Sequence, residues 1–214
     1  MQRHTVFALA SITLFVVQHA GSADTSALPS HWFISSQNPG EGARYYVGRV
    51  DHATVYSGLA SGVLASTTSE ANVSGTLMQQ ARASAYSGRT IVFSAYLKTR
   101  DVSRGTGLWL RADAANGLVV AFKNAWSRSQ VGQILRGSTE WRKVELVIDV
   151  PSSAVALAYG VQMSGPGTVW IDHVRFEVRV TDAQAADATP LTVTYNAPPQ
   201  LESLGDPANL DFEE

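Results

Sequence analysis

The stretch GTVWIDHVRFEVRV, residues 167–180, follows a Gly/Pro turn over 164–167 and is rich in β-branched and aromatic residues. From Val174 onward, apolar residues (Val174, Phe176, Val178, Val180) alternate with polar ones (Arg175, Glu177, Arg179). A period of two with this composition predicts a long strand with one face in a core and the other in water. Trp170 and Asp172 share the parity of Val174, so the same reading puts a carboxylate on the core side, where it needs hydrogen bonds or a cation.

Around this strand the 214-residue chain is cut into short apolar runs by Gly, Pro, Ser and Asn, with almost no helical periodicity after Asp24. The fold class expected is all-β. Strands are predicted at 31–35, 45–51, 59–67, 75–83, 90–98, 108–113, 118–122, 141–150 and 154–163, with a long polar loop at 123–139 carrying Trp126. In 154–163 the face opposite Val155, Leu157, Tyr159, Val161 and Met163 consists of Ala156, Ala158, Gly160 and Gln162. Such a strip of small residues reads equally as the floor of a groove or as a seat for a neighbouring segment.

The ends differ from this middle. Residues 1–23 have a polar start with Arg3, an apolar run over 6–17 and small residues at Gly21 and Ala23, the pattern of a secretory signal peptide too short to span a bilayer. The mature chain is therefore expected to be secreted or periplasmic, without a membrane span. An all-β domain is expected over 24–180, a Pro/Ala-rich linker over 181–207 with a short strand at 191–195, and a final peptide over 208–214. There is no Cys, which excludes thiol catalysis and Cys-based zinc sites. The formal charge of −2, with cations scattered singly, leaves no electrostatic footprint for nucleic acid.

The strings Tyr86-Ser87-Gly88-Arg89, Ala95-Tyr96-Leu97-Lys98-Thr99, Gly107-Leu108-Trp109-Leu110-Arg111-Ala112-Asp113, Gly137-Ser138-Thr139-Glu140-Trp141 and Gly165-Pro166-Gly167-Thr168-Val169-Trp170-Ile171-Asp172 resemble bacterial carbohydrate-binding, galactose-binding-like jelly-roll modules of secreted proteins. The resemblance covers residues 31–180 and implies a jelly-roll β-sandwich of two antiparallel sheets. It implies no particular ligand. Lys123-Asn124-Ala125-Trp126 stands where such modules usually carry an Asp-Asn-Met-like string. Asn209-Leu210-Asp211-Phe212-Glu213 looks like the first strand of such a module, displaced to the other end of the chain. It is expected to return to the sandwich edge, in its own molecule as a monomer or in a neighbour as a strand-swapped dimer, or else to remain an acidic tail.

No nucleophile motif occurs, and His31, His52 and His173 have no His partner at metal-ligand spacing; no catalysis is expected. Alternation instead places Tyr96, Trp109, Arg111 and Gln162 on one non-core face, with Trp126 as a wall. Aromatic rings offer a surface on which sugars stack, and Arg and Gln offer forked hydrogen bonds to hydroxyls. In the competing reading, Trp109 is covered and Arg111 pairs with Asp113 or Glu145. Asp172, with Asp51 or Glu177, is a candidate for a structural Ca²⁺. The function expected is a non-catalytic secreted module that binds carbohydrate on an exposed aromatic/Arg face. The alternative is a protein–protein interaction or structural module with no sugar ligand.

Overall fold

A computed structural model describes residues 27–36, 42–69, 71–127, 132–179 and 203–214. The expected signal peptide at 1–23 and the linker up to 202, with its short strand, lie outside the described residues. Within them the elements are β1 (Phe33–Ser36), a one-turn helix α1 (Gly42–Tyr45), β2 (Tyr46–Asp51), β3 (Ser61–Ser66), β4 (Ser74–Arg82), β5 (Arg89–Ala114), β6 (Val119–Asn124), β7 (Leu135–Val150), β8 (Ala154–Ser164) and β9 (Thr168–Val178). No helix among them is long and apolar enough to cross a membrane.

All pairings are antiparallel, and β5 belongs to two layers. Its first half, through Arg100, lies between β9 and β7, giving one sheet in the order β2-β3-β9-β5-β7. Its second half, from Gly105, lies between β8 and β6, giving a second sheet in the order β1-β4-β8-β5-β6. The molecule is an all-β jelly-roll sandwich. The sequence suggests two strands separated by a break at 99–107, whereas the chain stays extended and changes sheet there. Asp101 (φ 54°) and Gly105 (φ 149°) make the change of direction. Gly167 (φ 142°) lets the start of β9 approach, since a Cβ on it would come 2.6 Å from the Val102 Cα. The expected 123–139 loop is shorter than read, because β6 runs to Asn124 and β7 begins at Leu135.

The core lies between the sheets. Phe93, Leu97, Leu146 and Ile171 meet Leu108, Leu110, Leu157, Tyr159 and Val161 across it, all fully buried. Tyr159 is the central ring, edge-on to Trp32, Phe93 and Phe176 at 5.9, 5.6 and 4.8 Å. Its hydroxyl donates to Gln79 Oε1 at 2.6 Å, so the buried phenol has the partner its burial requires, and burial pushes its pKa well above the usual tyrosine range.

The organising strand departs from strict alternation. Opposite β5, Ser94 pairs with Arg175 and Tyr96 with Asp172, which leaves two residues of β9, His173 and Val174, opposite one of β5, Ala95. His173 sits there with φ 52°. This is a β-bulge, and one extra residue exchanges the two faces of a strand. Val174 and Phe176 face the core on one side of it, Val169 and Ile171 on the other. Trp170 and Asp172 therefore point to the outer face of the first sheet, correcting the core side expected from parity. There Trp170 packs with Val63, Ala65 and Trp141.

Segment 203–214 docks on its own molecule, but it completes no strand. Asn209 and Phe212 have φ of 47° and 61°, and a chain that turns twice in five residues cannot pair as an edge. It is instead a plug. The Phe212 ring is 1% exposed and sits 4.9 Å from Trp32, in the space left by Gly62, where a Cβ would lie 2.5 Å from the ring.

Candidate functional site

A cluster of aromatic rings lies on the outer face of the first sheet. Tyr96 projects from β5 there, with Asp172 of β9 and Lys143 of β7 as its register neighbours. The loop between β2 and β3, residues 52–60, folds over it and lays Tyr56 on Tyr96, with ring centroids 3.6 Å apart and planes at 14°. Trp141 stands at 61° to Tyr56 with centroids 5.9 Å apart. His173 lies edge-on to both tyrosines at 6.0 and 5.9 Å. Tyr56 is 41% exposed, and Trp141 and Tyr96 are half-buried. A hydrogen bond with Tyr96, together with its surroundings, holds the Tyr56 phenol above its ordinary pKa.

Two carboxylates fix this surface from beneath. Asp172 is fully buried; its Oδ2 accepts from the backbone N–H of Tyr56 at 2.8 Å and of Ser57 at 3.0 Å, and its Oδ1 from that of His173 at 2.6 Å. Burial raises its pKa, outweighing the opposing pull of the three amides. Asp51 Oδ2 accepts from the Trp170 indole at 2.7 Å, and Oδ1 from the amides of Ala53 and Thr54 at 2.7 and 3.2 Å. Burial pushes Asp51 up, but those three donors hold it below the usual carboxylate range. Asp172, the expected structural Ca²⁺ ligand, is placed here as a backbone clamp. Its lone pairs, like those of Asp51, are directed at fixed N–H donors, and Glu177 is exposed. Among the described residues no three His, Asp or Glu side chains converge as metal ligands.

The cations around the aromatic surface are largely matched. Lys98 pairs with Glu140, and Lys143 with Glu145 at 2.6 Å. The Arg100 guanidinium lies 5.1 Å over the Trp170 ring, a cation–π contact that also shields the indole.

The expected binding set is divided by the fold. Tyr96 is on this face, but Trp109, Arg111 and Gln162 belong to the second sheet, whose outer face is on the opposite side of the sandwich, because β5 changes sheet between Tyr96 and Trp109. Trp109 is 9% exposed, packs with Met78 and Ala158, and donates from Nε1 to Thr76 Oγ1 at 2.7 Å. The small residues of β8 are thus a seat for Trp109 and Met78 rather than an open floor. Arg111 donates to Asp113 Oδ2 from Nε at 3.0 Å and from Nη2 at 2.8 Å. Burial lifts the Asp113 carboxyl against the pull of Arg111, and its Oδ1 has no hydrogen-bond partner among the described residues. Gln162 is half-buried, with its backbone carbonyl accepting from Thr106 Oγ1 at 2.8 Å. Trp126, also half-buried, lies in the turn just past β6.

Tyr56 and Trp141 escaped the sequence reading. Trp141 was signalled, since it has the parity of Lys143 and Glu145, and an aromatic on a wet face marks a contact surface. Tyr56 lies in a loop without period, and nothing local indicates where its ring lands.

No protein-family model matches the chain. It is 35% identical over 184 residues, 86% of its length, to a Bacillus subtilis (strain 168) protein named uncharacterized HTH-type transcriptional regulator YbfP. The chain spans about half, 56%, of that relative. Among solved structures, it is similar to a carbohydrate-binding module of the β-sandwich superfamily, with TM-score 0.50 and 12% identity over 72% of this chain and 59% of that one. It is similar to the same degree, TM-score 0.50, to the Stig cyclase Fisc from Fischerella sp. TAU, at 12% identity over 75% of this chain and 92% of that one. At these identities the shared property is the sandwich fold, which carries both a binding module and an enzyme.

Proposed function

We propose that this chain is a non-catalytic glycan-binding module whose ligand stacks on Tyr56 and Trp141. The observation that carries the proposal is the exposed Tyr56 ring, backed by Tyr96 at 3.6 Å and flanked by Trp141 at 61°. Two aromatic planes at an angle match the apolar faces of successive sugar rings in a twisted chain, and aromatic side chains bring large contact area at low entropic cost. The fold shared with a carbohydrate-binding module supports the reading. The carboxylates beneath the rings are occupied by amides and an indole, so they serve the shape of the face rather than acid–base chemistry. The module would act outside the cytoplasm, where the reading of residues 1–23 as an export signal puts it and where polysaccharides are met; cell fractionation checks this.

Isothermal titration against a panel of soluble xylan, galactan, mannan and mixed-linkage glucan tests the binding. Binding to at least one is expected, with Tyr56→Ala and Trp141→Ala each weakening it about tenfold or more. Trp109→Ala, on the opposite face, is expected to lower stability and leave affinity unchanged. Absence of binding throughout, or affinity that ignores Tyr56 and Trp141, would overturn the proposal.

A further inference from the structure

We infer that segment 204–214 is a positioning device for the Tyr56 loop, with Glu213 as the residue that ties the loop down; its bearing on ligand affinity rests on the glycan reading above. Among the described residues the loop of residues 52–60 has no ladder partner, and its amides are gripped by carboxylates in succession. Asp51 takes Ala53 and Thr54, Asp172 takes Tyr56 and Ser57, and Glu213 Oε1 takes Leu59 at 2.7 Å. The first two carboxylates come from strands of the sheet beneath. The third comes from 154 positions away in sequence, and the loop is shaped to receive it. Gly58 has φ 74°, and a Cβ there would lie 2.0 Å from Glu213 Oε1, so a side chain here would strain the backbone and displace the carboxylate from the amide after it.

The segment is itself anchored independently of that contact. Phe212 is buried in the Gly62 socket, Trp32 Nε1 donates to the Asn209 carbonyl at 3.0 Å, and Val174 N donates to the Leu210 carbonyl at 3.0 Å. Asp211 pairs with Arg175 at 2.8 Å. The anchor therefore fixes Glu213 in space, and Glu213 fixes the loop that carries Tyr56. The segment's contact with the binding face is indirect, and it acts by removing alternative positions of one ring.

Hydrogen exchange read residue by residue on the full chain, with melting temperature alongside, tests this. Because Phe212 remains docked, Glu213→Ala is expected to leave the melting temperature within about 2 °C and to speed exchange at Leu59 and Tyr56 about threefold to tenfold, the worth of one hydrogen bond. Affinity for whichever polysaccharide binds the wild type falls by a similar factor. Glu213→Gln, which keeps an acceptor oxygen, restores both. Loop exchange unchanged in Glu213→Ala would overturn the inference, whereas a changed exchange rate in a protein that binds no polysaccharide would overturn only the glycan reading.

Discussion

Gly62 and Phe212 form a hole and its filling. Gly62 has the parity of buried residues on β3 and pairs with Ile171, yet brings no side chain to the core. A plug held this way depends on both members, and the ring is the one that can leave, since it sits on a turn rather than in a strand. Phe212→Ala is expected to cost up to about 3–5 kcal/mol, the range for truncating a buried Phe, with the lower end favoured because the segment can detach instead of leaving a void. Gly62→Ala puts a methyl where the ring lies and is expected to have an effect of the same sign and similar size. The two act through one event, so the double variant should cost no more than the worse single one. Urea unfolding of the four proteins measures this, and additive losses would show that the ring and the glycine stabilise different things.

At the level of elements, β9 shows what alternation can and cannot reveal. Its existence, extent and the core side of Val174 and Phe176 were legible, because β-branched and aromatic residues at a period of two have little else to do. The bulge at His173 was not legible. A His with φ 52° leaves no mark in composition, and the face exchange it produces moves Trp170 and Asp172 outward while every residue still looks regular. The change of sheet within β5 was hidden for the same reason: Arg100 to Gly105 reads as a polar break, and only the ladders on either side show that the strand continues into the other layer. The outward direction of Trp109 and Arg111, and the pairing of Arg111 with Asp113 as one of two open readings, were legible from parity and spacing, but not that Met78 and Thr76 would be what covers Trp109. A sharp expectation follows for the bulge. His173→Gly should change stability by no more than about 1 kcal/mol, because relief of the left-handed backbone offsets lost ring contacts and a more flexible unfolded chain. Deleting His173 removes the extra residue and turns Val174 and Phe176 toward solvent, at about 1.5–3 kcal/mol for each large apolar side chain exposed. Circular dichroism and thermal melting should therefore show a folded glycine variant and a deletion variant that is unfolded or grossly destabilised. A deletion variant that melts like the wild type would mean that the face exchange does not depend on this residue.

For the whole molecule, the two outer faces of the sandwich differ in what they leave available. On the second sheet Trp109 is bonded to Thr76 and Arg111 to Asp113, and the exposed rings there, Phe33 and Phe122, lie on the two edge strands rather than in a cluster. On the first, rings remain exposed while the cations near them are matched, Lys98 by Glu140 and Lys143 by Glu145, with Arg100 lying on Trp170. A chain of formal charge −2 whose lysines on this face are both paired with glutamates has little long-range field to offer a charged polymer. The ligand it selects should then be a neutral polysaccharide held by stacking and burial of apolar ring faces, and this can be separated from binding of an acidic one by salt. Raising sodium chloride from about 0.1 M to about 1 M shortens the Debye length from about 10 Å to about 3 Å, which would strip most of the attraction from a uronate-rich chain but leaves stacking intact. We expect the dissociation constant for the bound polysaccharide to change by less than about twofold across that range, since stacking and apolar burial of a neutral chain leave no ligand charge to screen. A loss of affinity of about tenfold or more would mean that Lys98, Arg100 or Lys143 is released from its partner to meet an anionic ligand, and the paired arrangement would then describe only the unliganded face.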